Sequence, residues 1–382
     1  MKKIFIFIFL FLIAFNVKAE EVNFAENAKS AILMEVSTGK IIFSKNENEK
    51  LSPASMTKMM SLLLIMENIE KGVISLDEMV TVSENASGMG GSQILLETGE
   101  KMSVDDLIKG ITIASGNDAV VALAEKIAGT EAGFVKMMND KAKELKLTNT
   151  NFKNPHGLDE ANHYSSAKDM AIIAKELVKH QKILEYSSIY ETYLRENTDK
   201  AIWLVNTNKL VRFYDGVDGL KTGFTSSAGY CLTATAKRNN MRIIAVVMGE
   251  PDSKTRNKEV SEMFDYMFAQ YEVETLLSKD SKVKTITNNR TKNINIDIVP
   301  KETITSLNRK VDGKKNITYN IKLDKIKDNI KINDKVGTME ILENNKVINT
   351  IELTVNKEVK KANIFEVFIR NLNILATGLW YN

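Results

Sequence analysis

Ser52-Pro53-Ala54-Ser55-Met56-Thr57-Lys58-Met59-Met60 opens an apolar run that continues to Ile69, and the reading of this stretch decides the fold. Ser52 followed by Pro53 predicts a helix start, with serine as N-cap and proline at the first helical position. Met59, Leu62, Leu63, Met66 and Ile69 recur at helical spacing, while Met60, Leu64 and Ile65 fill other faces. A helix apolar on most sides is a buried one. Ser55 and Lys58 fall in its first turn, three residues apart and on one face. Serine needs a nearby base to become a nucleophile. Lysine can be that base only where burial or a second cation depresses its pKa. The surrounding methionines and leucines offer a dry setting, although Ser-x-x-Lys by itself recurs by chance in helices.

Upstream, residues 31–36 and 41–44 are short apolar runs separated by Ser37-Thr38-Gly39-Lys40, a β-hairpin pattern. Downstream, Ser103 caps a predicted helix through Ile113, with Asp105 and Asp106 where the helix dipole favours acids. A third helix is expected from Asp118 to Ala128, ending at Gly129, with further helical pattern through Leu147 and over residues 167–179. Beyond Gly219 the pattern turns to strands, residues 230–236 and 242–248, around an Asn239-Asn240 turn. Sheet-forming ends around a helical middle predict an α+β domain. One antiparallel sheet is built from both ends and carries an inserted helical subdomain.

Two further triplets carry polar chemistry. Ser115-Gly116-Asn117 sits in the tight loop between two predicted helices. A hydroxyl there can relay a proton to a leaving amine, and the amide can hold a peptide carbonyl. Its plainer reading is a turn with Asn117 as helix cap. Lys221-Thr222-Gly223 opens the C-terminal sheet region. An ammonium and a hydroxyl there would recognise a carboxylate, and the glycine would let substrate approach the strand. Its plainer reading is a polar strand followed by a turn.

In this order and spacing the three elements match the active-site set of penicillin-binding proteins and serine β-lactamases, with Gly116 in place of an aspartate. The chain resembles the D-alanyl-D-alanine carboxypeptidases, the low-molecular-mass penicillin-binding proteins. Supporting stretches are residues 52–58, 115–119, 155–158 and 221–225, with Ala228-Gly229-Tyr230 just after. The resemblance covers residues 25–270 strongly and the remainder more weakly, and it implies a β-lactamase/transpeptidase-like fold. It also implies Ser55 as the acylated nucleophile, Lys58 as its base, and Ser115 and Asn117 in proton transfer and positioning. Lys221 would supply positive potential, and Thr222 and Thr225 would lie near the substrate's terminal carboxylate. The backbone N–H groups of Ser55 and Phe224 would form the oxyanion hole. Arg256, in Ser253-Lys254-Thr255-Arg256, would help to hold that carboxylate.

The expected activity is removal of the terminal D-alanine from peptidoglycan stem peptides, with β-lactams as covalent inhibitors and no metal or organic cofactor implied. One rival is a class A-like β-lactamase. Against it, no Glu-x-x-Leu-Asn occurs between Ser115 and Lys221. The other is a catalytically silent wall-binding scaffold, which has no physical need for Ser55 and both lysines. His156, His163 and His180 are the only histidines, and no HExxH, Cys/His cluster or G-x-S-x-G elbow is present. His156 is expected to shape a loop near the site. Cys231, the lone cysteine, reads as a small buried filler.

The two ends add location. Lys2 and Lys3 precede an apolar run from Ile4 to Phe15, and Val17-Lys18-Ala19 offers a cleavage site. That is the layout of a secretory signal peptide over residues 1–19. Its removal takes three lysines and lowers the formal charge from +3 to zero, which argues against nucleic-acid binding. Residues 20–276 carry 29 basic and 37 acidic groups, whereas residues 277–360 carry 18 and 11. This contrast predicts a catalytic domain followed, from residue 277, by a small β-rich module with a basic surface. In residues 361–382, Ile364, Phe368, Leu372, Leu375 and Leu379 form a helical stripe, reinforced by Phe365, Ile369 and Trp380. With Lys360, Lys361 and Arg370 nearby, an amphipathic helix in the membrane interface is expected at the outer face of the cytoplasmic membrane, the alternative being a terminal helix docked on the second domain.

Overall fold

The structure is a computed structural model that describes residues 23–313 and 316–377. The signal segment, Leu379 and Trp380 lie outside the described residues. The predicted hairpin is β1 (Ser30–Glu35) with β2 (Ile41–Lys45). Three strands from the other side of the domain, β3 (Val217–Thr225), β4 (Gly229–Arg238) and β5 (Met241–Glu250), complete the sheet. The order is β2-β1-β5-β4-β3 and every pairing is antiparallel.

Alternation along these strands makes the domain three layers deep. Ala31 and Leu33 face one side with Ala234, Ala245 and Val247, against Val260, Met263, Phe264 and Met267 of α6 (Ser253–Gln270). Ile32, Met34, Ile244 and Val246 face the inserted helices. These include α1 (Lys58–Glu70), α2 (Val104–Ile113), α3 (Asn117–Ala128), α4 (Glu131–Glu144) and α5 (Ala167–Leu177). The all-round apolar pattern of α1 is explained by its place among helices with almost every side chain buried. Ser103 accepts from the Asp106 N–H as the predicted cap, and Gly129, at φ +75°, ends α3.

The start of α1 departs from expectation. Ser52 is not its cap: the Ser52 hydroxyl donates to Asp159 Oδ1 at 3.0 Å. A 3-10 turn, Ala54–Thr57, intervenes, and Ala54 at φ +46° is incompatible with a regular first helical turn. Thr57 is likewise engaged elsewhere, with His163 Nε2 at 2.8 Å. Tertiary partners thus claim both the hydroxyl expected to cap the helix and that of Thr57 at its observed start.

The second module is all β. Strands β7 (Lys284–Thr287), β8 (Asn295–Pro300), β10 (Ile317–Leu323), β11 (Gly337–Glu343) and β12 (Lys346–Val355) form a sheet ordered β7-β8-β12-β11-β10. Its core includes Ile298, Met339, Ile341 and Leu353. The strand β6 (Tyr271–Leu277), on the first-domain side of the charge boundary, pairs with β9 (Ile304–Arg309) of this module. Leu307 of β9 joins the core beneath α6, and Ser37 and Thr305 hydroxyls meet at 2.8 Å.

The chain then enters α7 (Ile364–Thr377), started by a reciprocal cap. Glu366 N–H donates to Asn363 Oδ1 and Asn363 N–H to the Glu366 carboxylate, both at 2.8 Å. Arg370 does not face outward as a free charge. Its guanidinium donates to the Thr291 and Lys292 carbonyls at 2.5 and 2.6 Å, tying α7 to the module.

Candidate active site

The nucleophile turn lies against the free edge of β3. A Cβ on Gly223 would come 2.8 Å from Pro53 O and 3.2 Å from Ser55 N. This glycine therefore lets the strand backbone approach the Ser55 turn, a different role from the substrate approach expected of it. The loop Pro155-His156-Gly157 closes on the turn from the other side. Gly157, at φ +89°, would place a Cβ 1.9 Å from Ala54 O. Ser55 is held between two glycines that permit backbone contact on both flanks.

Lys58 is fully buried. Its Nζ lies 2.9 Å from Ser55 Oγ, 2.6 Å from Asn117 Oδ1 and 2.8 Å from the His156 carbonyl. The Asn117 amide donates to Gly90 O at 2.6 Å, so its Oδ1 faces Lys58. A neutral amine has two N–H groups and one lone pair. The two carbonyl-type oxygens take the N–H groups, and the lone pair is left for the Ser55 proton. Burial, and next the charge of Lys221, hold the Lys58 pKa well below its usual value, so the neutral form is accessible. The geometry is that of a serine activated by a lysine base.

Lys221, on β3, is also buried, and its Nζ donates to the Thr222 carbonyl at 3.1 Å. Burial first, and Arg256 second, lower its pKa to about 7. Thr222 Oγ1 donates to Thr207 Oγ1 at 2.8 Å. Arg256, on α6, donates through Nε and Nη2 to Asn257 Oδ1 and has no ion pair among the described residues. Lys221 and Arg256, buried and without an ion pair among the described residues, place positive potential that suits an incoming anion.

Ser115 lies in the α2–α3 loop at φ +65°, with its buried hydroxyl unpartnered. A strained, unsatisfied hydroxyl beside Asn117 is available to a reacting group. At Gly116 a Cβ would meet Asp118 Oδ1 at 2.9 Å, which leaves no room for the aspartate of the related motif. Phe224 extends half-exposed over Tyr230, and Thr225 donates to Asp159 Oδ1 at 3.0 Å. Thr225 and Ser52 thus share one carboxylate at the outer end of the groove. The structure brings Ser55, Lys58 and Asn117 into direct contact. The charge of Lys221 reaches Lys58, and that of Arg256 reaches Lys221, while Thr222 meets Thr207, Gly223 lies against the turn and Thr225 meets Asp159.

Sequence reasoning missed three supports. Asp118, buried next to Asn117, accepts from Ile94 N–H at 3.0 Å and Leu96 N–H at 3.1 Å, pinning the loop after Gly90 that orients the Asn117 amide. Its place in a first helical turn gave only a dipole signal. Thr207 and His163 had no local signal. His163 Nδ1 accepts from Lys153 N–H, so Nε2 carries the proton to Thr57. Burial pushes this ring down to about 4, which keeps it neutral. His156 shapes its loop as expected: Nδ1 accepts from Leu158 N–H while its carbonyl holds Lys58.

Comparison with known proteins gives the family. The family model described as D-alanyl-D-alanine carboxypeptidase matches residues 16–252, and that of the penicillin-binding protein 5 C-terminal domain matches residues 271–361. The chain is 49% identical over 349 residues to D-alanyl-D-alanine carboxypeptidase DacF of Bacillus subtilis, covering 91% of this chain and 90% of that protein. Penicillin-binding protein 5 from Haemophilus influenzae superposes with a TM-score of 0.72 at 32% identity, over 87% of this chain and 98% of that one. Penicillin-binding protein D2 from Listeria monocytogenes, solved in its ampicillin-bound form, gives 0.57 at 30% identity over 63% and 98%. With the family model matched over more than half of the chain and a relative 49% identical over most of it, the chain belongs to the D-alanyl-D-alanine carboxypeptidases, a family of serine peptidases.

Proposed function

We propose that Ser55 attacks the carbonyl between the last two D-alanines of a peptidoglycan stem peptide, with Lys58 taking its proton. The bond to the leaving D-alanine breaks as its nitrogen is protonated, by way of Ser115. Water then hydrolyses the acyl-enzyme. Lys221, Thr222 and Arg256 receive the terminal carboxylate, Asn117 and Thr225 position the chain, and the Ser55 and Phe224 N–H groups stabilise the oxyanion. The observation that carries this reading is the buried Lys58 amine, 2.9 Å from Ser55 Oγ and held by Asn117 Oδ1 and the His156 carbonyl.

In this reading the protein acts outside the cytoplasmic membrane, with residues 1–19 as a signal peptide and α7 as an interfacial anchor. Supporting the anchor, Ile364 and Leu375 are 91% and 80% exposed. Among the described residues no helix is long and apolar enough to cross a membrane. Residues 20–276 would form the catalytic domain, residues 277–360 the β-rich module and residues 361–382 the anchor, with β6 bridging the first two.

The test is release of D-alanine from a pentapeptide ending in D-Ala-D-Ala, alongside intact mass after exposure to penicillin. Ser55→Ala should abolish both release and adduct, while the wild-type adduct should decay far more slowly than peptide turns over. Labelling that survives in the variant would move the nucleophile elsewhere. Repeated hydrolysis of penicillin at the rate of peptide turnover would make the protein a β-lactamase.

A further inference from the structure

Asp159 touches both segments that carry the proposed oxyanion donors, and the mechanism above gives it no part. Its Oδ1 accepts from Ser52 Oγ and from Thr225 Oγ1, each at 3.0 Å. Ser52 lies three residues before Ser55, across the 3-10 turn, and Thr225 follows Phe224 at the end of β3. These partners stand 107 and 66 residues from Asp159 in the chain, so one oxygen atom joins the nucleophile turn to the strand beside it.

Asp159 is anchored from its own side. The buried Asn154 accepts from Gly157 N–H at 2.7 Å and donates to the Leu158 carbonyl at 3.1 Å. Ser61 of α1 donates to the Pro155 carbonyl at 2.7 Å, and His163 N–H to the Glu160 carbonyl at 3.0 Å. The backbone is thus fixed on both sides of Asp159, and its carboxylate holds Ser52 and Thr225 rather than following them. Partial burial opposes its ionisation, but hydrogen bonds from Ser227, Ser52 and Thr225 outweigh that and hold the carboxyl below its usual range. The acceptor is therefore charged at neutral pH, and bonds to a charged acceptor are the stronger kind. Thr225 gives its one hydroxyl proton to Asp159, and its Oγ1 accepts from Ala228 N–H at 3.1 Å. No proton is left for a substrate, so this hydroxyl serves to fix the end of β3.

We propose that Asp159 is a positioning residue for the oxyanion hole: its carboxylate clamps Ser52 to Thr225 and thereby sets the spacing between the Ser55 and Phe224 N–H groups. This rests on the reading that those two N–H groups stabilise the oxyanion. Gly223 and Asp159 then act in opposite senses on the same gap. The glycine lets the two backbones come close, with a Cβ there only 3.2 Å from Ser55 N, and the carboxylate keeps them from drawing apart. Such donors act only when both reach the position of the oxyanion at hydrogen-bond distance.

The test combines steady-state kinetics on the pentapeptide with inhibition by a peptide boronic acid ending in the boron analogue of D-alanine, which forms a tetrahedral adduct on the nucleophilic serine. Asp159 is exposed, so its variants leave the core intact. Asp159→Ala should lower kcat roughly thirtyfold, less than the loss of a donor outright. Its KM should stay within about twofold of the wild type, because acylation and deacylation both pass through an oxyanion and slow together. The boronic acid should lose affinity in step with kcat. Asp159→Asn, whose amide oxygen can accept the same two hydroxyls, should recover most of both losses. Wild-type kcat in Asp159→Ala, a loss carried by KM alone, or an Asp159→Asn variant as slow as Asp159→Ala overturns the proposal. Failure of the underlying reading shows in the wild type alone: the boronic acid would then bind no more tightly than the product peptide ending in D-alanine.

Discussion

At Gly223 a single hydrogen atom in place of a side chain decides whether the nucleophile and the substrate strand can meet. A methyl group there would come within 2.8 Å of Pro53 O, against backbone rather than a flexible side chain. The strand or the 3-10 turn would have to move, and Ser55 N–H and Phe224 N–H would lose their relative placement. Gly223→Ala should therefore cut kcat at least about a hundredfold, in the range seen when an oxyanion donor is removed. Its overpacking cost is about 1–3 kcal/mol, measurable as a lowered denaturation midpoint. Wild-type kcat in a folded variant would show that the two donors do not act together. As candidates, Ser55, Lys58, Ser115, Asn117 and Lys221 were legible in the sequence because the chemistry proposed for them depends on residue type and short spacing. The task of Gly223 was not, because the atoms it accommodates belong to a segment about 170 residues away in the chain.

Among the elements, α7 shows how a helix can be read correctly and one of its residues misread. Periodicity alone predicts an amphipathic helix, and the structure leaves Phe365 and Phe368 68% and 57% exposed. Arg370, counted among the charges for lipid, is spent on module carbonyls. It thereby fixes the helix to the module while the apolar face stays uncovered. Deleting residues 361–382 should release the mature protein from anionic vesicles in a sedimentation assay and leave kcat on soluble pentapeptide unchanged. Arg370→Ala should retain vesicle binding, since the apolar area remains. Continued sedimentation of the truncated protein would place the anchor elsewhere. A similar contrast holds at the start of α1, where the Ser52-Pro53 signal marked the right place but Asp159 and His163 took the capping hydroxyls.

Across the whole molecule, the buried lysines couple pH to both stability and activity. The Lys221 pKa lies near 7 in the folded protein and 10.5 in its ordinary state. Between these values the unfolded chain binds more protons than the native one, so stability rises with pH across that window. Lys221→Met removes this dependence. Its melting-temperature advantage over the wild type should be largest below pH 7 and shrink as pH rises. Glu250 works in the opposite sense: the native state holds its proton up to about pH 8, against 4.5 in its ordinary state, so this group lowers stability as pH rises between those values. A Lys221→Met advantage that grows with pH would mean that the lysine stays charged in its pocket.

The sequence by itself determined the α+β class, the sheet assembled from both ends, the β-rich module, and the serine, lysine and amide proposed to perform the chemistry. These follow from hydrophobic period, turn residues and motifs whose parts lie close together in the chain. Only the tertiary structure decided what stands behind them. It set Asp118 under the loop that orients Asn117, seated Gly157 against Ala54, and buried Glu250 and Glu259. Local sequence carries no record of such pairs, because their meaning comes from burial, and burial is fixed only when distant segments pack together.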